Sequence, residues 1–248
     1  PIAAMEASDS RLTVACDAYA CEPAAVTELV RPSAGEPAAA ELTVTRANPG
    51  VFRGGARAVI EGFRRERDVE VAESDTWTHA FTLTAETPRA EFRLTLDEAT
   101  ANLFTDCAVN IVDATGERVV SDSFVGREAV VSWELPEGAA QASGKLEVVG
   151  GFALAADEEQ WGFGLAERYL LPALVTGTVE RDGSADLTLY AGVPTALDLS
   201  FAGSWPAPPD GLQPFGSVRF LDRNLADKAP GDTAGRLVLE VPVRPAAK

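Results

Sequence analysis

The chain has 248 residues, 46% of them hydrophobic and 24% charged, and carries a formal net charge of −17. That composition excludes wholesale disorder, and the length suits one large or two modest domains with a real core. The charge argues against nucleic acid and anionic membrane surfaces, whose phosphates must be met by Lys or Arg, and no run approaches the roughly 18 apolar residues of a membrane helix.

Residues 1–39 are rich in Ala, Pro and Glu and read as an N-terminal extension. The chain opens on Pro1 rather than Met, the picture that a removed signal peptide leaves, so an extracytoplasmic place is expected. "TVAC" at 13–16 lacks the apolar stretch of a lipoprotein cleavage site, and lipidation at Cys16 is not expected. Cys16 and Cys21 flank "DAYA", a loop that a disulfide closes if the strand turns there. Cys107, in "FTDCAVNIV", reads as a buried, inert thiol. With a single histidine in the chain, no multi-histidine metal site is available.

From residue 40 onward, period-two alternation dominates. "ELTVT" starts it, and "HAFTLTAETPRAEFRLTL" sets Phe81 and Leu83, then Phe92, Leu94 and Leu96, on shared faces. "EAVVSWEL", "GKLEVVGGFAL", "WGFGLAERYLL", "ADLTLYAG", "TALDLSF", "GSVRFL" and "GRLVLEVPV" follow the same rule. Asn, Asp, Pro and Gly turn signals separate them. Only 55–67 is ambiguous between strand and helix. Short strands at roughly 8–12-residue spacing predict an all-β chain. The expected architecture is an antiparallel β-sandwich, jelly-roll-like, over 40–172, followed by a second small β domain over 175–248. The boundary is placed near "LLPALVTG", where a long strand is expected to end at Pro172.

The segment around Cys107 holds Asp106, Asp113 and Asp122. "DATG" at 113–116 reads as a hairpin in which Asp113 caps its own turn and Gly116 takes the positive φ. All three aspartates are therefore expected to be structural.

Four stretches taken in this order resemble the bacterial prepeptidase C-terminal (PPC-like) jelly-roll domains that accompany secreted peptidases. They are "DTWTHAFTLTAETPRAEFRLTL", "NLFTDCAVNIVDATGERVVS", "EAVVSWELPEGAAQASGKLEVVGGFAL" and "WGFGLAERYLL", and they cover about 69–172. The resemblance implies a sandwich that assists another protein outside the cytoplasm. Family members often carry an acidic run before the central strand, where this chain has Asn102, Leu103 and Phe104. The calcium binding known for parts of that family is not supported at that strand.

Chemistry has few footholds. His79, in "TWTHAFTL", would have to serve any Ser-His-Asp or Cys-His arrangement, yet no G-x-S-x-G elbow is present. It reads as a surface or edge histidine. Asp157, Glu158 and Glu159 beside Trp161 form the best local pair of carboxylates for glycoside chemistry. They also read as a solvated loop leading into a strand whose Trp161 and Phe163 pack inward. Trp77 and Trp133 read as core, whereas Trp205, in "GSWPAPPDG", reads as an exposed contact for a protein or glycan. Asp222, Asn224, Asp227 and Asp232 share one loop and are the candidate calcium ligands, although the loop has no bidentate Glu. Otherwise no cofactor is expected.

"FRGGARAVIEGFRRERD" concentrates arginine in an acidic chain. Arg64, Arg65 and Arg67 read either as cross-strand partners of neighbouring Glu or as a docking strip for an acidic partner. The expected function is a non-catalytic, extracytoplasmic protein that binds or braces another protein, as an accessory module of a secreted peptidase or a subunit of an envelope complex. A carbohydrate-binding module is the alternative, and a small glycoside-active enzyme follows it.

Overall fold

In the computed structural model the described residues are 7–8, 11–12, 19–22, 38–46, 50–72, 75–96, 101, 104–105, 107–149, 152–153, 160–201, 211–223 and 236–243. They form strands β1 (Ala7–Ser8), β2 (Arg11–Leu12), β3 (Tyr19–Glu22), β4 (Ala38–Arg46), β5 (Val51–Ala72) and β6 (Thr76–Thr84). These are followed by β7 (Arg89–Leu96), β8 (Phe104–Thr105), β9 (Ala108–Asp113), β10 (Arg118–Ser123), β11 (Glu128–Glu134) and β12 (Gln141–Val149). The last six are β13 (Phe152–Ala153), β14 (Gln160–Glu180), β15 (Leu187–Tyr190), β16 (Thr195–Phe201), β17 (Gln213–Asp222) and β18 (Arg236–Val243). The chain is all-β, and its strands pair antiparallel, as the alternation predicts. The ambiguous stretch 55–67 is strand, the middle of β5.

The chain divides into two compact units. One comprises Gly62–Ala173 with Pro208–Leu212, and the other Pro1–Glu61, Leu174–Ala207 and Gln213–Lys248. The first is a sandwich. One of its sheets runs β10-β9-β12-β6, and the other runs β11-β7-β14 and on to β5. Their inner faces share one core: Phe63 and Val69 of β5, Phe81 and Leu83 of β6, Phe92 and Leu94 of β7, Ile111 of β9, Leu146 of β12, and Trp161, Phe163 and Leu165 of β14. Cys107 is buried in that core, and Trp77 and Trp133 pack against it. Each fully buried Val, Leu, Ile or Phe among them contributes about 1.5–3 kcal/mol by leaving water. Strict alternation is what lets both sheets supply such a face.

The other unit is antiparallel β as well. β3, β4 and β16 pair in sequence with the end of β14, and β15, β17 and β18 gather around the first part of β5. Leu42, Val44, Phe52, Leu187, Leu197, Leu199, Val218 and Phe220 are buried in it.

Two local expectations are met and one is corrected. The β9–β10 hairpin turns at Asp113, whose Oδ1 accepts from Thr115 N at 2.8 Å, Thr115 Oγ1 at 2.6 Å and Glu117 N at 3.0 Å. Those bonds, the one from Thr115's side chain foremost, hold the Asp113 carboxyl below its ordinary range. Gly116 sits at φ +89°, where a side chain is strained. Trp161 and Phe163 pack inward, each 3% exposed. The strand expected to end at Pro172 does not end there, because β14 continues to Glu180. Pro172 falls between the part of β14 that pairs with β7, which ends at Leu170, and the part that pairs with β16, which begins at Thr178. A residue with no N–H is tolerated in such a gap.

Candidate functional site

Three inward rows of the sandwich contain polar residues where the pattern calls for apolar ones. On β14 the row is Trp161, Phe163, Leu165, Glu167, Tyr169. On β5 it is Phe63, Arg65, Arg67, Val69, Val71, and on β6 it is Trp77, His79, Phe81, Leu83. The fold brings Glu167, Arg65 and His79 together. β5 lies beside β14 in one sheet, and β6 is the edge strand of the other sheet, across the core.

Glu167 is wholly buried, with 0% of its side chain exposed. One carboxylate oxygen accepts from Arg65 Nε, and the other lies 2.7 Å from His79 Nε2. Burial pushes this carboxyl up, but the hydrogen bonds and charges of His79 and Arg65 outweigh it and hold it below the ordinary glutamate range. An ionised carboxylate only accepts, so the proton between the two groups sits on His79 Nε2. The side chains of Arg65 and His79 are 26% and 16% exposed, so the cluster runs from a wholly buried carboxylate to two partly exposed donors. Tyr169, next in the β14 row, has its phenol pushed up by burial and then by the Glu167 charge.

Aromatic rings wall the cluster. His79 stacks on Trp77 with centroids 6.0 Å apart and meets Phe92 edge-on at 6.3 Å. Trp77 in turn meets Phe163 edge-on at 5.7 Å. Arg67 lays its guanidinium over the Trp77 ring, 5.2 Å from the centroid.

The arginine strip is thus sorted by strand geometry. Arg64, on the opposite face of β5, pairs with Glu66. Arg65 pairs with Glu167 of the neighbouring strand. Arg67 covers Trp77, and its Nε and Nη2 are buried with no hydrogen-bond partner among the described residues. His79, read from sequence as a surface or edge residue, is on an edge strand but turns its ring to the core face.

The other candidates lie apart from this cluster. Asp222 is buried at the end of β17, where its Cα pairs with that of Arg236. Asn224, Asp227 and Asp232 lie outside the described residues, as do Trp205, Cys16, Asp106, Asp157, Glu158 and Glu159. Cys21 is in β3. Among the described residues no group of three or more His, Cys, Asp and Glu side chains is placed to hold a metal ion, and no helix is long and apolar enough to cross a membrane.

Sequence reasoning missed Glu167. The signal was present, because "WGFGLAERYLL" sets a glutamate in register with Trp161, Phe163, Leu165 and Tyr169. Compared with known proteins, the chain matches no family model and no curated protein.

Proposed function

We propose that this chain is a non-catalytic, extracytoplasmic β-sandwich protein that binds or braces another protein, as an accessory module of a secreted peptidase or a subunit of an envelope complex. The observation that carries this reading is the corner formed by Arg67 and Trp77 in a chain whose net charge is −17. Tryptophan and arginine are among the side chains in which binding energy concentrates at protein interfaces. The chain's one histidine is committed to the buried Glu167 carboxylate. In that arrangement it links two sheets rather than moving a substrate proton. The extracytoplasmic setting rests on the resemblance of 69–172 to PPC-like domains.

The test is retention from envelope and secreted fractions of the native cells, followed by measurement of affinity with the purified retained protein. Arg67→Gln should weaken that affinity about tenfold or more while the melting curve stays in place. Raising salt from about 50 to about 500 mM should weaken it as well. Affinity indifferent to both changes would remove the corner from the function.

A further inference from the structure

We infer that Arg67, seated on Trp77, is a carboxylate-binding site. The inference deepens the protein-binding reading and rests on it for the source of the ligand. Nε and Nη2 are the two donors along one edge of a guanidinium, parallel and spaced to meet both oxygens of a carboxylate. In Arg67 this pair is buried and has no hydrogen-bond partner among the described residues. Such a group costs stability as it stands, and folded proteins satisfy nearly all of their buried donors. Neighbouring Arg65 has its Nε engaged by Glu167, so the buried acid on the core face is already taken. Within this cluster Arg65 and Arg67 against Glu167 leave one surplus positive charge, before any proton on His79 is counted. Trp77 lies against the Arg67 guanidinium, its ring centroid 5.2 Å from the guanidinium carbon. A flat anion with two oxygens is the ligand that this charge and this fork select. It can come from an Asp or Glu side chain of a partner protein or from a free small carboxylate.

The experiment uses the full chain and the Nε–Hε signals of its arginines in proton–nitrogen correlation spectra. The Arg67 signal is the one absent from both Arg67→Lys and Arg67→Gln, each checked for an unchanged melting curve. The probes are sodium acetate, sodium chloride at equal ionic strength, and an end-blocked Gly-Glu-Gly peptide with its Gln counterpart. Acetate and the Glu peptide should shift the Arg67 signal to higher proton frequency, while chloride and the Gln peptide leave it in place. A Glu peptide acting at about tenfold lower concentration than acetate assigns the ligand to a partner side chain, and equal action assigns it to a free carboxylate. An Arg67 signal that ignores both carboxylates, or that follows chloride equally, overturns the site. If that silent Arg67 accompanies a partner that is still retained, protein binding stands on other residues. A responsive Arg67 in a chain that retains no partner keeps the carboxylate site and overturns protein binding as its purpose.

Discussion

At the scale of single residues, the cost of ionising a carboxyl inside a sandwich is the governing fact. Glu167 stays charged because Arg65 and His79 each supply a donor to it. Its carboxyl is held below the ordinary glutamate value, so its contribution to stability is fully present above about pH 4.3. That contribution is lost as pH falls through the lower folded value, when the proton returns and Arg65 loses its counter-charge. Glu167→Gln should therefore lower stability at neutral pH and flatten the acid limb of the stability curve. Denaturant unfolding of both proteins at pH 3 to 7 checks this, and parallel curves would show that the carboxylate is not the titrating group. This residue was legible in part. The period-two row that contains Glu167 is plain in "WGFGLAERYLL", but its two donors come from strands about 90 and 100 residues away, and no local pattern specifies that meeting.

Strand pairs are the next scale, and two glycines show what holds them. Gly116 closes the β9–β10 hairpin at φ +89°. Gly116→Val should cost about 1.5 kcal/mol, read as a shift of the denaturation midpoint at constant slope. Gly62 on β5 meets the backbone of Tyr169 on β14 so closely that a Cβ there would collide with the Tyr169 carbonyl. Gly62→Ala should cost about 3 kcal/mol by forcing the two strands apart, and an unchanged melting curve would contradict that close approach. The hairpin was legible because all its chemistry lies within 113–117. The run of β14 through Pro172 was not, because proline ends a strand only where its missing N–H is needed. That depends on which neighbour lies alongside.

On the scale of the whole molecule, alternation carried the fold class. Nearly every apolar run quoted from the sequence became a strand with one buried face. What alternation cannot supply is sheet order, and sheet order is what sorts the arginines. On paper Arg64, Arg65 and Arg67 form one strip. In the sandwich one lies on the opposite face of β5 and pairs with Glu66, one holds the buried acid and one lies on Trp77. On the proposed reading, labour is therefore divided between adjacent core-facing side chains, with Arg65 pairing with the buried acid and Arg67 assigned to recognition. Thermal melting of Arg65→Met and Arg67→Met, side by side at pH 7, tests that division most directly. Arg65→Met strands the Glu167 charge and should cost about 2 kcal/mol, allowing for the 26% exposure of Arg65, which lowers Tm by roughly 4–8 °C. Arg67→Met removes two buried donors, Nε and Nη2, that lack a hydrogen-bond partner among the described residues and should leave Tm unchanged or raise it. A large loss in Arg67→Met with little change in Arg65→Met would contradict that division of labour.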